Sequence, residues 1–259
     1  MYSSSHTFAQ HVLNTFLGIT APGYSALWVG LFISDPTPTG SGGVEVAYPG
    51  YVRQPITFTP PALFSGNMAV QSANDVTFPL SDQNAGSALF VGIYNAPVAG
   101  EMVLRGALTH PLEIRPSVQP SILGEDIIFY GRNDFTNEFR TAYLNILRGI
   151  PLPGFEPRMA LFHNHPETGG VEFSGNNYER ALINFNLPHL SDNQIMQIVN
   201  TNDMVFPRPT GPWGMWTHDA IARGNSSNIA SSAIKDPPLD MQSNYNPRIL
   251  QGDYTVSFR

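Results

Sequence analysis

Between positions 8 and 17 the apolar side chains fall at Phe8, Val12, Leu13, Phe16 and Leu17, the spacing of one helix face. Ser5 is placed to cap that helix and Gly18 to stop it. The pattern returns at 139–147, with Gly149 after it. Elsewhere apolar residues come in short bounded runs or alternate with polar ones, which predicts strands. Residues 26–33 and 88–94 are continuous apolar runs suited to buried strands. The stretch 51–58 alternates, with Ile56 and Phe58 on one face, and Pro55 assigns it to a sheet edge or a bulge. Further strands are expected at 76–78, 101–108 and 122–129, then at 158–162, 181–185, 204–206, 213–216 and 254–258. Short strands separated by turn residues predict an antiparallel sandwich or barrel.

The order of these elements occurs twice. Gly42-Gly43-Val44-Glu45 precedes Tyr51, Arg53, Ile56 and Phe58, and Gly169-Gly170-Val171-Glu172 precedes Tyr178, Arg180, Ile183 and Phe185, each pair 127 positions apart. Phe8, Leu13, Gly18 and Ile19 match Phe139, Leu144, Gly149 and Ile150 at an offset of 131, and Leu123 and Asp126 match Leu250 and Asp253 at 127. Loop insertions and deletions account for the drift. The chain therefore reads as mainly β, with two tandem antiparallel β-sandwich or barrel modules, 1–130 and 131–259. Each opens with a short helix and is long enough to hold its own core. The structural anchors of the repeat are Glu45, Tyr51, Arg53 and Phe58, with Glu172, Tyr178, Arg180 and Phe185.

Composition narrows the function. Only 13% of residues are charged, about half the usual share, while Gly and Pro number 23 each. Such a chain favours strands and ordered loops. A net charge of −7, with basic residues scattered, argues against nucleic acid as a partner. There is no cysteine, so disulfides and thiolate chemistry are excluded. No signal peptide and no membrane-length apolar run are legible, which predicts synthesis in a cytoplasm and no membrane partner.

Several runs in the first module carry a resemblance: Gly30-Leu31-Phe32, Asp35-Pro36, Gly42-Gly43-Val44-Glu45-Val46, Gly50-Tyr51-Val52-Arg53-Gln54, Phe78-Pro79, Gly92-Ile93-Tyr94-Asn95-Ala96 and Leu104-Arg105-Gly106-Ala107-Leu108. Together they resemble a family of small tailed-bacteriophage virion proteins, often labelled tail fibre proteins, whose members are about one module long. The second module keeps only the skeleton. It lacks the Gln after Arg180, has His218-Asp219-Ala220 where Ile93-Tyr94-Asn95 is expected, and carries a longer loop at 221–234.

Candidate chemistry is sparse. His163-Asn164-His165-Pro166, with Ser174 and Asn177, comes near the pattern of zinc isopeptidases. Asn177 stands where that pattern requires a carboxylate, and the first module has Ile33 and Asp35 in place of the imidazoles. A zinc hydrolase is therefore the least favoured reading, and no catalytic residue, metal or cofactor is expected. Glu45 with Arg53, and Glu172 with Arg180, are expected to tie the Gly-Gly loop to the next strand rather than to clamp a ligand. His218-Asp219 near Ser226 lacks the surroundings of a catalytic triad.

What the resemblance implies is a virion structural protein made in a host bacterium. The favoured role is a capsid decoration or cement protein bound to the major capsid protein or to neighbouring virion proteins, with self-association possible. The alternative is a tail, fibre or baseplate component.

Overall fold

The computed structural model describes residues 2–243 and 246–258. Strand β1 (Tyr2–Ser4) leads into helix α1 (His6–Asn14), which ends in a 3-10 turn at Thr15–Leu17. The Ser5 hydroxyl accepts from the Phe8 amide at 3.1 Å, and Gly18 closes the helix in the left-handed region that glycine adopts without strain. Strands β2 (Leu27–Phe32), β3 (Gln54–Ile56), β4 (Ala62–Phe64), β5 (Asn67–Gln71), β6 (Val76–Thr77), β7 (Gly86–Tyr94), β8 (Met102–Ile114), β9 (Ser121–Ile122) and β10 (Ile128–Tyr130) complete the first half. Helix α2 (Asn137–Leu144), capped by Thr136 through the Phe139 amide, opens the second. Strands β11 (Pro157–Phe162), β12 (Ala181–Leu182), β13 (His189–Leu190), β14 (Met196–Val199), β15 (Met204–Val205), β16 (Gly214–Arg223), β17 (Ile229–Met241), β18 (Arg248–Ile249) and β19 (Thr255–Phe258) follow.

The fold is mainly β, and the strand pairs of its sheets are antiparallel. In the first half β1-β8-β7-β2-β3 form one sheet, β10-β5-β4 a second and β6-β9 a small third. The second half holds β12-β11-β16-β17, β13-β14-β19 and β15-β18. Strands β3 and β12 occupy the same place, each at a sheet edge beside the strand that follows the helix. Isolated bridges agree too: Phe32 with Glu45 and Phe162 with Glu172, Phe58 with Ser72 and Phe185 with Asn200.

Several elements differ from the sequence expectation. The loop expected at 221–234 is a hairpin, because β16 runs through His218, Asp219 and Ala220 to Arg223 and β17 begins at Ile229. Pro237 and Pro238 read as loop residues yet lie within β17. They sit where the register jumps from Ile234–His218 to Leu239–Trp216, an edge bulge at which no ladder amide is needed. The β7–β8 pair carries the matching bulge, at 108–111. The strands expected at 51–58 and 181–185 shrink to β3 and β12, and β3 pairs through Pro55, which stands opposite Trp28 at the sheet edge.

One core runs through both halves. Phe8 of α1 packs within 5.9 Å of the Phe258 ring and 6.4 Å of the Tyr143 ring, while Phe16 packs within 5.3 Å of Phe139 and 6.1 Å of Phe185. Helix α1 touches β8 of its own half and β14 and β19 of the other, and α2 touches β17 of its own half and β5 of the other. The expectation of a separate core in each module is corrected by this exchange. A single short amphipathic helix has an apolar face broader than its own sheet covers, and each half covers the remainder for the other.

Candidate functional site: two arginine clamps and the seam between the halves

Arg53 forms a two-pronged ion pair with Glu45, Nε to Oε1 at 2.9 Å and Nη2 to Oε2 at 2.8 Å. The Tyr51 hydroxyl donates to the same Glu45 Oε1 at 3.2 Å and accepts from the Leu31 amide at 2.7 Å. Nη1 of Arg53 reaches the Ala99 carbonyl at 2.6 Å, and the guanidinium lies 3.5 Å from the Tyr94 ring centre. The second half repeats the hydrogen bonds, with Ala222 where the ring of Tyr94 lies in the first. Arg180 donates to Glu172 at 2.7 Å through both Nε and Nη2, Tyr178 bridges the Leu161 amide and Glu172, and Nη1 reaches the Gly224 and Ser226 carbonyls at 2.9 and 2.6 Å.

Each clamp joins three segments: the Gly-Gly loop, the strand-β3 or strand-β12 approach, and the tip of the long hairpin. Gly43 is required in the first loop, because a Cβ there would lie 2.6 Å from the Ser34 carbonyl oxygen. Burial opposes the charge on Arg53, yet its bonds to Glu45 outweigh burial and raise its pKa; for Arg180 the Glu172 bonds dominate from the start. Burial raises the Tyr51 and Tyr178 hydroxyls, so both stay protonated and keep donating. Phe58 and Phe185 lie buried in the core. The clamps hold loops. The first clamp's loops present the apolar side chains Val44, Val52 and Val98 to solvent, Val98 at 79% exposure.

At the centre of the molecule the halves meet in a pairwise way. Ala21 and Leu152 exchange amide-to-carbonyl bonds of 2.9 and 3.0 Å. Tyr24 N donates to Ile146 O, and Phe155 N to Thr15 O, both at 2.9 Å. These two bonds interchange when 131 is added to or taken from the numbers. A Cβ on Gly23 would lie 2.3 Å from Gly149 backbone atoms, and one on Gly154 would lie 2.1 Å from Gly18. The contact is isologous, the kind made by two copies about a twofold axis.

The histidine motif does not assemble as its spacing suggested. His163 packs 4.4 Å from the Phe173 ring, whereas His165 faces His218 at 5.3 Å and accepts from the Glu167 amide. The Asn177 amide donates to the Arg208 carbonyl at 3.1 Å. Among the described residues no group of three or more His, Asp or Glu is placed to hold a metal. Burial, with His165 close by, lowers the His218 pKa.

Sequence reasoning named Asp219 only as a rejected triad member and missed its burial. It is 7% exposed, faces the core, and has Oδ1 buried without a hydrogen-bond partner. Burial raises its carboxyl pKa to about 6, against the pull of Lys235 and the Tyr254 hydroxyl. Val91 holds the equivalent place in the first half, pairing with Leu31 as Asp219 pairs with Leu161. The residue signal was present, a carboxylate in a strand that is apolar in the other half.

Residues 3–129 match the family model described as Gp80, podophage GP4 fiber I protein gp80. Over that span the chain is similar to this fibre-protein family. The matched span ends within β10, so it covers the first clamp and leaves the second outside. No curated protein matches the chain. The match supports a bacteriophage virion structural protein of fibre type. It gives no support to the capsid-decoration role expected above, and it fits the tail, fibre or baseplate alternative better. No helix among the described residues is long and apolar enough to cross a membrane.

Proposed function

We propose that the protein is a tail-fibre-type component of a tailed bacteriophage, working by contact with neighbouring virion proteins and not by catalysis. The fibre-family match over residues 3–129 carries this reading. The recurrence of both clamps, both helix caps and both sheet edges supports a second step, that 1–130 and 131–259 are a tandem duplication fused into one chain. A fused pair makes the contact between modules intramolecular, so its formation does not depend on protein concentration. The clamps suit a contact role: loops held by a bidentate ion pair lose little freedom on docking, which lowers the cost of association. With so few charges, docking rests on apolar and backbone contacts and is only weakly sensitive to salt.

Phage particles made without this protein test the reading. Loss of adsorption to host cells, with heat and osmotic resistance unchanged, is expected. Normal adsorption together with fragile heads would return the protein to capsid decoration.

A further inference from the structure

The seam between the halves is twofold in its backbone and uneven in its side chains. Adding 131 to a residue number carries each seam residue of the first half onto its counterpart in the second. If two first halves met about the same axis, Ala21 would face Ala21. If two second halves met, Leu152 would face Leu152. The chain instead sets the small residue against the large one. Ala21 and Leu152 form a hydrogen-bonded antiparallel pair, so their side chains leave the backbone on the same side, and both are buried in the shared core.

The same inequality recurs away from the axis. Phe16 of the first half reaches the rings of Phe139, Phe155 and Phe185 at 5.3, 4.9 and 6.1 Å, whereas its counterpart Leu147 has no ring to return. Phe8 meets the Tyr143 ring at 6.4 Å, and the counterpart of Tyr143 is Val12. Phe16, Leu147, Tyr143 and Val12 are all buried. A close-packed interior neither collapses fully around a missing group nor admits an extra one without displacement. Two first halves would leave a void on the axis, and two second halves would overfill it.

We infer that the seam is a heterospecific docking surface, on which the partner that fits either half is a half of the other kind. The inference rests on the duplication proposed above. Two identical copies pair like with like, and unequal substitutions at matched places remove that pairing while they keep the mixed one. This is specificity by exclusion, a steric conflict set against the wrong partner. Neighbouring chains in a particle then do not join like halves through this seam, and contacts between copies use other surfaces.

Two variants of the full chain build the wrong contacts one at a time. Leu152→Ala creates the axis of two first halves, and Ala21→Leu that of two second halves. In thermal unfolding Leu152→Ala should lower Tm by about 5 °C or more, and Ala21→Leu by about 3 °C or more. The double variant, Ala21→Leu with Leu152→Ala, returns one small and one large side chain to the axis in exchanged places. It should unfold at least about 3 °C above Leu152→Ala alone. Neither comparison bears on the fibre reading, which adsorption tests, or on the duplication, which the matched clamps and caps support. A double variant no more stable than Leu152→Ala would overturn the assignment, and that comparison decides even if Ala21→Leu alone does not fold. An Ala21→Leu variant as stable as the parent would overturn it too.

Discussion

Ala21 and Leu152 each donate an amide to the other's carbonyl across the middle of the molecule. Such an exchange between residues 131 positions apart places the local twofold axis between them. The flanking glycines then lie where backbone meets backbone. Gly154→Ala should destabilise the protein by about 3 kcal/mol or more, since the clashing atoms belong to Gly18 main chain and cannot turn aside. Gly23→Ala should cost a similar amount, and urea unfolding of the two variants checks both. A loss below 1 kcal/mol, roughly the ordinary surface range, would contradict close packing at this seam.

Because the core is shared, calorimetry should show one cooperative transition for the whole chain. The calorimetric and van't Hoff enthalpies should then agree. Two resolved transitions would mean that the helices' contacts with the opposite halves contribute little.

The clamps give a second set of expectations. Arg53→Lys keeps the charge but cannot form the two parallel bonds to Glu45, and should cost about 1.5–3 kcal/mol. Arg180→Lys should cost somewhat less, because the two arginine side chains are similarly buried, 10% and 12% exposed, but only Arg53 also stacks on a ring, that of Tyr94. A double-mutant cycle with Glu45→Gln should show coupling above about 0.5 kcal/mol.

Asp219 ties stability to pH. Its folded-state pKa, about 6, lies above the unfolded value of roughly 3.9, so the fold prefers the neutral acid. The stability this group supplies is complete below the unfolded pKa and is lost as pH rises through about 6, a change of about 2–3 kcal/mol. Asp219→Asn should therefore stabilise the protein at pH 8 by that much more than at pH 4. Urea midpoints at the two pH values measure it, and an equal effect at both would remove Asp219 as the titrating group.

Much of this was legible in the chain. Glu45, Tyr51 and Arg53 recur as Glu172, Tyr178 and Arg180 because a bidentate clamp fixes residue type and spacing together. Ser5 and Gly18 marked a helix because capping is local. The β4–β5 hairpin escaped notice, being short and half-exposed, and β17 was hidden by prolines that only an edge bulge excuses. Periodicity showed that Phe8 and Phe16 face a core, but not that Phe258 and Phe185 of the other half would cover them. Which neighbour completes an apolar face is decided by tertiary packing.

Electron microscopy of intact particles carrying a gold label on this protein tests the central claim most directly. A fibre-type component predicts label confined to the tail and its appendages. Label spread over the faces of the head, with none on the tail, would contradict the account.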